Sequence, residues 1–229
     1  MESMPPEVQK HMININGAHL PKPTLEDSRA FYEYLYSFAK KDDLDFLKID
    51  FSTRPIGHYA GRKTIDIDGG RLSSVRDGGI GNPYKAHAQM FEAFEEVSDE
   101  QFNGMINCNW HLAPNLFHLK NSVVGRCSED YKPGKLVRGK THHFYSYAAM
   151  PWMGQVAWGD HDMFHSGDEK YGRLMAASKA LSGAPVYISD GPKECNMTAI
   201  APLCYADGKV IRPLAPGAPI YDDVFFQLN

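Results

Sequence analysis

The chain has 229 residues, 43% of them hydrophobic, enough to bury a real core in one or two domains. A formal net charge of -4 and a pI near 6.2 leave no basic surplus to attract a phosphate backbone, so nucleic acid is excluded as an expected partner. Cys108, Cys127, Cys195 and Cys204 follow neither a zinc spacing nor a dense disulfide framework and read as reduced thiols; the first ten residues hold no apolar signal segment, and no apolar run is long enough to predict a membrane span.

Strand-like and helix-like segments alternate along the chain, the pattern of an α/β protein with parallel strands. Thr24 is placed to cap a helix, with Asp27 at the capping-box position. Phe31, Leu35 and Phe38 then fall on one face, and Lys40-Lys41 suits the helix's C-terminal end. A strand over 45–51 follows, and then a long polar loop with glycines at 57, 61, 69, 70, 78, 79 and 81. Residues 84–97 read as a helix with Ala88, Phe91 and Phe94 toward the core. Strands are predicted over 105–109 and 122–126, and a helix over 143–156 that Pro151 would kink. A short strand over 162–164, a helix over 169–181 ended by Gly183, and a strand over 184–189 come next. Residues 213–229, with Pro213, Pro216, Gly217 and Pro219, look extended, as a tail leading toward a further domain. A closed (β/α)₈ barrel needs eight strands and roughly 250 residues, about three strands more than these. Two architectures remain: an open doubly wound sheet, or the C-terminal part of a barrel.

In βα proteins the chemistry sits at the carboxyl ends of the strands. Two acidic clusters lie there. Lys48 and Asp50 alternate onto one face of their strand, and an inward Lys beside an inward Asp would keep the carboxylate ionised. Arg126 and Asp130, followed by Tyr131, bring a cation to a second carboxylate. Two carboxylates facing across a pocket are the minimum machinery of glycosidic cleavage. By spacing alone, a structural ion pair is the favoured reading of each cluster.

The two clusters together resemble the clan of retaining α-galactosidases, which carries Lys-x-Asp at one strand end and Arg-x-x-x-Asp two strands later. More of the chain resembles one branch of glycoside hydrolase family thirty-six, the raffinose synthases and alkaline, seed-imbibition-type α-galactosidases. Arg126-Cys-Ser-Glu-Asp-Tyr131 is similar to that branch's Arg-x-Ser-Asp-Asp-Tyr/Phe. Asp160-His-Asp-Met-Phe-His-Ser166 is similar to Asp-Trp-Asp-Met-Phe-x-Ser, and Ser182-Gly-Ala-Pro-Val-Tyr-Ile-Ser-Asp-Gly-Pro192 to Gly-Gly-x-Pro-Val-Tyr-Val-Ser-Asp-x-Pro. The stretch 207–213 also fits, so the likeness runs over residues 24 to 215.

The resemblance implies that the whole chain, 1–229, is part of one (β/α)₈ catalytic domain, its strands four to eight. Asp50 then matches the nucleophile ending strand four, and Asp130 the general acid/base ending strand six. Lys48 and Arg126 match substrate-contacting residues. Cys108, ending strand five, matches a sugar-contacting cysteine, with a buried small apolar residue as the alternative. Asp162 is a further pocket candidate, with strand capping as its alternative. Glu129 replaces the first of two family aspartates, and His161 stands where the branch has Trp, which bears on the sugar more than on the reaction.

The implied activity is retaining hydrolysis of α-galactosides by double displacement, with the two carboxyls about 5–5.5 Å apart. Galactosyl transfer of the raffinose-synthase type is the alternative, and a silent fragment that binds sugar or a partner chain is a third reading from another class. The expected partner is an α-galactoside oligosaccharide, with a missing barrel half or self-association completing the fold. No cofactor is expected. Neither the glycines at 69, 70, 78, 79 and 81 nor the histidines at 142, 143, 161 and 165 fit a nucleotide loop or a metal spacing. Compartment is left open.

Overall fold

The computed structural model describes residues 4–66 and 72–220, which group into two compact units that divide between Ser122 and Val123. The first unit opens with a single turn, α1 (Pro6–Gln9), and an antiparallel hairpin of β1 (Met12–Ile15) and β2 (Ala18–Pro21). Asn16 and Gly17 turn it at φ 52° and 85°, the double left-handed geometry that an Asn-Gly pair supplies. This hairpin is absent from the predicted elements although Asn-Gly between apolar runs is a strong signal for it.

The predicted first helix forms as α2 (Leu25–Lys41), and the Thr24 hydroxyl accepts the Asp27 amide at 3.1 Å. Its buried face is not the predicted one. Ser28, Tyr32 and Tyr36 are buried, whereas Leu35 and Phe38 are exposed. Both stripes have helical spacing, and the partner helix selects between them: the rings of Tyr32 and Tyr36 each lie 5.6 Å from an aromatic of the first core, Phe94 and Phe102.

Next comes β3 (Leu47–Ile49), shorter than the predicted strand. The predicted polar loop after it holds a helix, α3 (Arg54–Tyr59), and two antiparallel strands, β4 (Arg62–Asp66) and β5 (Leu72–Arg76). Gly69 and Gly70 lie outside the described residues. Helix α4 (Pro83–Gln101) follows, its Asn82 cap accepting the Lys85 amide at 2.9 Å; Phe91, Phe94 and Val97 are buried as its period demands, and Ala88 only partly. The chain then lays β6 (Met105–Asn107) parallel to β3, pairing Leu47 with Met105 and Ile49 with Asn107, and ends the unit with α5 (Ala113–Phe117).

The second unit repeats the strand–helix–strand logic. β7 (Val124–Arg126), α6 (Leu136–Met153) and β8 (Trp158–Asp160) form one crossover, with Arg126 opposite Asp160 in parallel register. Helix α6 starts at Leu136, well before the predicted His143, and carries Pro151 in its last turn, where little of the i to i−4 ladder is left to lose. The strand predicted over 162–164 is displaced to β8, because the chain turns at Asp162, which holds φ 66°. Helix α7 (Gly172–Ser182) ends at Gly183, φ 72°, where a Cβ would stand 2.3 Å from the Trp158 ring. The strand predicted over 184–189 is reduced to isolated parallel bridges at Gly183 and Ile188. Pro185 offers no N–H to a ladder. A turn, α8 (Met197–Ile200), and a 3₁₀ turn (Ala201–Leu203) follow. Residues 213–220 have no regular secondary structure, and Gly217 N–H ties them to Leu181 O at 2.8 Å; residues 221–229 of the predicted tail lie outside the described residues. Among the described residues no helix is long and apolar enough to cross a membrane. The class is α/β, with parallel strands joined through helices.

Candidate active site

Each predicted site residue lies at or just past the carboxyl end of a parallel strand, three in each unit. In the first unit, Lys48 and Asp50 share a face as period-two alternation expects, but that face is exposed and Leu47 takes the buried side. The expectation of an inward pair therefore fails: β3 ends at Ile49, and Asp50 stands beyond it, outside the packed strand. Cys108 is buried, and its N–H donates to Ile49 O at 2.8 Å, which sets residue 109 beside residue 50. The Asp50 carboxylate accepts two bonds on Oδ1, from Asn109 Nδ2 at 2.5 Å and from the Phe51 N–H at 2.7 Å.

The second unit is built differently. Arg126 is 3% exposed, and its guanidinium serves three carboxylates. Nη1 donates to Asp130 Oδ1 at 2.9 Å, Nε to Asp160 Oδ2 at 3.3 Å, and Nη2 pairs with Asp162 Oδ1. Asp160 and Asp162 are fully buried, while the Asp130 side chain is 60% exposed, so Arg126 reaches from the core to hold a carboxylate at the surface. The oxygens of Asp160 and Asp162 have further donors. Tyr187 OH donates to Asp160 at 2.9 Å, the Asp162 N–H to Asp160 Oδ1 at 2.9 Å, and the Tyr131 N–H to Asp162 Oδ2 at 2.5 Å. Asp162 thus holds the Tyr131 backbone with one oxygen and faces Arg126 with the other.

Lys179 completes the network from α7. Its Nζ donates to the carbonyls of His161 and Asp162. Burial drives its pKa down to about 8, against the pull of Asp160 and Asp162. Two buried cations therefore face two buried anions, as buried charges require.

Lys179, Asp160, Tyr187 and Asn109 were not among the predicted site residues. The signal for Lys179 was present: it shares a helix face with Met175, Ala176 and Ser182, where a solvated lysine has no place. For Asp160 the signal was its position two residues before Asp162. Asn109 offered none, since its contact follows from strand register.

The histidines fill structural places. His161 Nδ1 meets Ser178 Oγ at 2.6 Å, and burial, then Lys179, drives its pKa down to about 3. His143, buried and, among the described residues, with no hydrogen bond to either ring nitrogen, is lowered to about 4 by burial and then by His142 and Lys179. The rings of Tyr131 and Tyr171 stand 6.2 and 6.1 Å from it.

Comparison with known proteins identifies a family. The family model for raffinose synthase or seed imbibition protein Sip1 matches residues 3–228. Among curated proteins, the chain is 31% identical over 223 residues to probable galactinol–sucrose galactosyltransferase 6 of Arabidopsis thaliana, covering 96% of this chain and 27% of that protein. It is 28% identical to the stachyose synthase of Pisum sativum, over 93% of this chain and 24% of that one. Galactinol–sucrose galactosyltransferase of Oryza sativa subsp. japonica is 26% identical over 92% of this chain and 26% of its own length. The chain spans about a quarter of the length of the curated relatives it matches. With the family model matched almost from end to end, this chain belongs to the raffinose synthase/seed imbibition protein family.

Proposed function

We propose that this chain carries the two catalytic carboxylates of a retaining α-galactosyl-transferring enzyme, Asp50 as nucleophile and Asp130 as general acid/base. The observation that carries the proposal is their common position: each stands just past the carboxyl end of a parallel strand, as the reactive groups of βα enzymes do. On this reading β3, β6, β7 and β8 are strands four to seven of a (β/α)₈ barrel, and the residues after Gly183 contribute the eighth.

Asp50 attacks the anomeric carbon of an α-galactoside while Asp130 gives its proton to the departing oxygen, forming a covalent galactosyl ester. Asp130 then takes the proton of an incoming hydroxyl as that oxygen displaces the ester, and the α-configuration is retained. Arg126 orients Asp130 from the core. Lys48, Cys108 and Asp162 contribute to the sugar pocket, Asp162 by holding Arg126 and the Tyr131 backbone.

The incoming hydroxyl decides the product: a sugar gives transfer, water gives hydrolysis. The relatives' names, galactinol–sucrose galactosyltransferase and stachyose synthase, favour transfer over the hydrolysis that led the sequence reading. The test is incubation of this chain and its Asp50→Asn variant with galactinol, with and without sucrose. A trisaccharide product formed by the unaltered chain and lost in the variant supports transfer. Free galactose alone, lost in the variant, supports hydrolysis. Turnover that survives in Asp50→Asn overturns the assignment of the nucleophile, and no turnover in either points to the silent reading.

A further inference from the structure

We infer that Asn109 is a positioning residue for Asp50: its side-chain amide holds Oδ1, so that Oδ2 is the oxygen presented for attack. The inference rests on the proposed role of Asp50 and goes one residue further.

Both donors to Asp50 converge on one oxygen. Asn109 Nδ2 stands 2.5 Å and the Phe51 N–H 2.7 Å from Oδ1, and among the described hydrogen bonds none falls on Oδ2. The backbone on either side of this contact is unusual. Phe51 holds φ 56° and Asn109 φ 49°. The left-handed region suits Asn and is uncommon for a bulky aromatic, and such conformations persist where the surroundings over-determine them. The surroundings here do. Thr53 Oγ1 donates to the Asn109 carbonyl at 3.0 Å, linking the segment after β3 to the segment after β6. Asn115 Nδ2 donates to Ser52 Oγ at 3.0 Å, and Asn115 itself is held at 2.5 Å by His87, both fully buried. The 50–53 segment is thus tied at successive residues, and among the described hydrogen bonds the side-chain donor that ends on the carboxylate is Asn109.

A purely conformational role makes a different prediction. If residue 109 served only to turn the backbone at positive φ, glycine would serve as well or better. If the amide is what counts, glycine keeps the turn and loses the function.

The experiment labels the full chain with an α-configured galacto-cyclophellitol epoxide. The nucleophilic carboxylate opens the epoxide, the ring oxygen takes a proton from the acid/base, and a stable ester remains that peptide mass spectrometry locates. In Asn109→Gly the melting temperature should hold or rise while the labelling rate at Asp50 falls about tenfold, the loss of one charge-assisted hydrogen bond at an exposed site. Asn109→Asp keeps the shape, sets a second carboxylate against Oδ1, and should slow labelling further near neutral pH. Its rate should recover on acidification, once one of the paired carboxyls carries a proton and can donate again. Equal labelling rates in all three proteins, with one pH profile, overturn the inference and leave the role of Asp50 standing. Absence of label on Asp50 in the unaltered chain overturns that role and the inference with it.

Discussion

Asp50 and Asp130 are both exposed carboxylates past strand ends, yet the molecule aims them by opposite means. Asp50 leans on an amide and a main-chain N–H that are themselves near the surface. Asp130 is gripped by a guanidinium rooted in the core and shared with two fully buried aspartates. An exposed group can be oriented by local backbone shape, at little risk to the fold, or by a long side chain whose other contacts hold the core together. In the second unit orientation and stability are coupled, and in the first they are separate.

The largest expected effect tests that coupling. Arg126→Leu removes the guanidinium paired with Asp160 and Asp162 and leaves two buried anions facing Lys179, which should cost about 3–5 kcal/mol. Asp50→Asn should move stability by no more than about 0.5 kcal/mol. Urea unfolding, followed by amide exchange in each unit, reads both; equal costs would break the comparison. The first unit has its own buried anion away from Asp50, and Glu95→Ala sharpens the contrast. The Glu95 carboxylate accepts the backbone N–H groups of Lys120, Asn121 and Ser122 at 3.2, 2.9 and 2.8 Å, and fastens the chain just before β7. Its loss should cost about 3 kcal/mol in the first unit through donors left without their acceptor, the Ser122 N–H among them buried, with no change in labelling at Asp50 beyond that of a less stable protein.

Acid should separate the two units next. His143 and His161 have folded pKa values of about 4 and 3, below their ordinary 6.5. Between those limits the unfolded chain binds more protons, so the stability present above pH 6.5 is lost as pH falls toward 4 and then 3. His142 is shifted the same way by burial, as are His58 and His87 of the first unit. With the two deepest shifts in the second unit, its amides should lose exchange protection first on acidification, and His143→Phe should flatten that acid limb. A simultaneous loss in both units would count against it. The smallest effect belongs to the α2 cap: Thr24→Ala removes the oxygen that accepts the Asp27 amide and should cost about 1 kcal/mol, read as a small shift in the melting temperature.

Much of this was legible in the sequence. The Thr24 cap, the α4 face with Phe91 and Phe94, the stop at Gly183 and the alternation of strands with helices all follow from local rules, and the molecule obeys them. Local rules failed where two solutions were equally good locally. The α2 stripe of Phe31, Leu35 and Phe38 has the same period as that of Ser28, Tyr32 and Tyr36, and only the rings of Phe94 and Phe102 choose between them. At Ala184–Ser189 the β-rich composition was outweighed by a left-handed glycine and a proline.

The sequence by itself determined the family, the α/β class and the positions of the acidic clusters, because those are written in residue order and spacing. It placed Arg126 within reach of Asp130, four residues on. Only the tertiary structure decided that Arg126 is shared with Asp160 as well, that Lys179 enters from a helix to balance the charge, and that Asn109 meets Asp50. Those contacts join residues from 18 to 59 positions apart. No spacing rule reaches that far, since parallel register and helix packing set which side chains meet across such gaps.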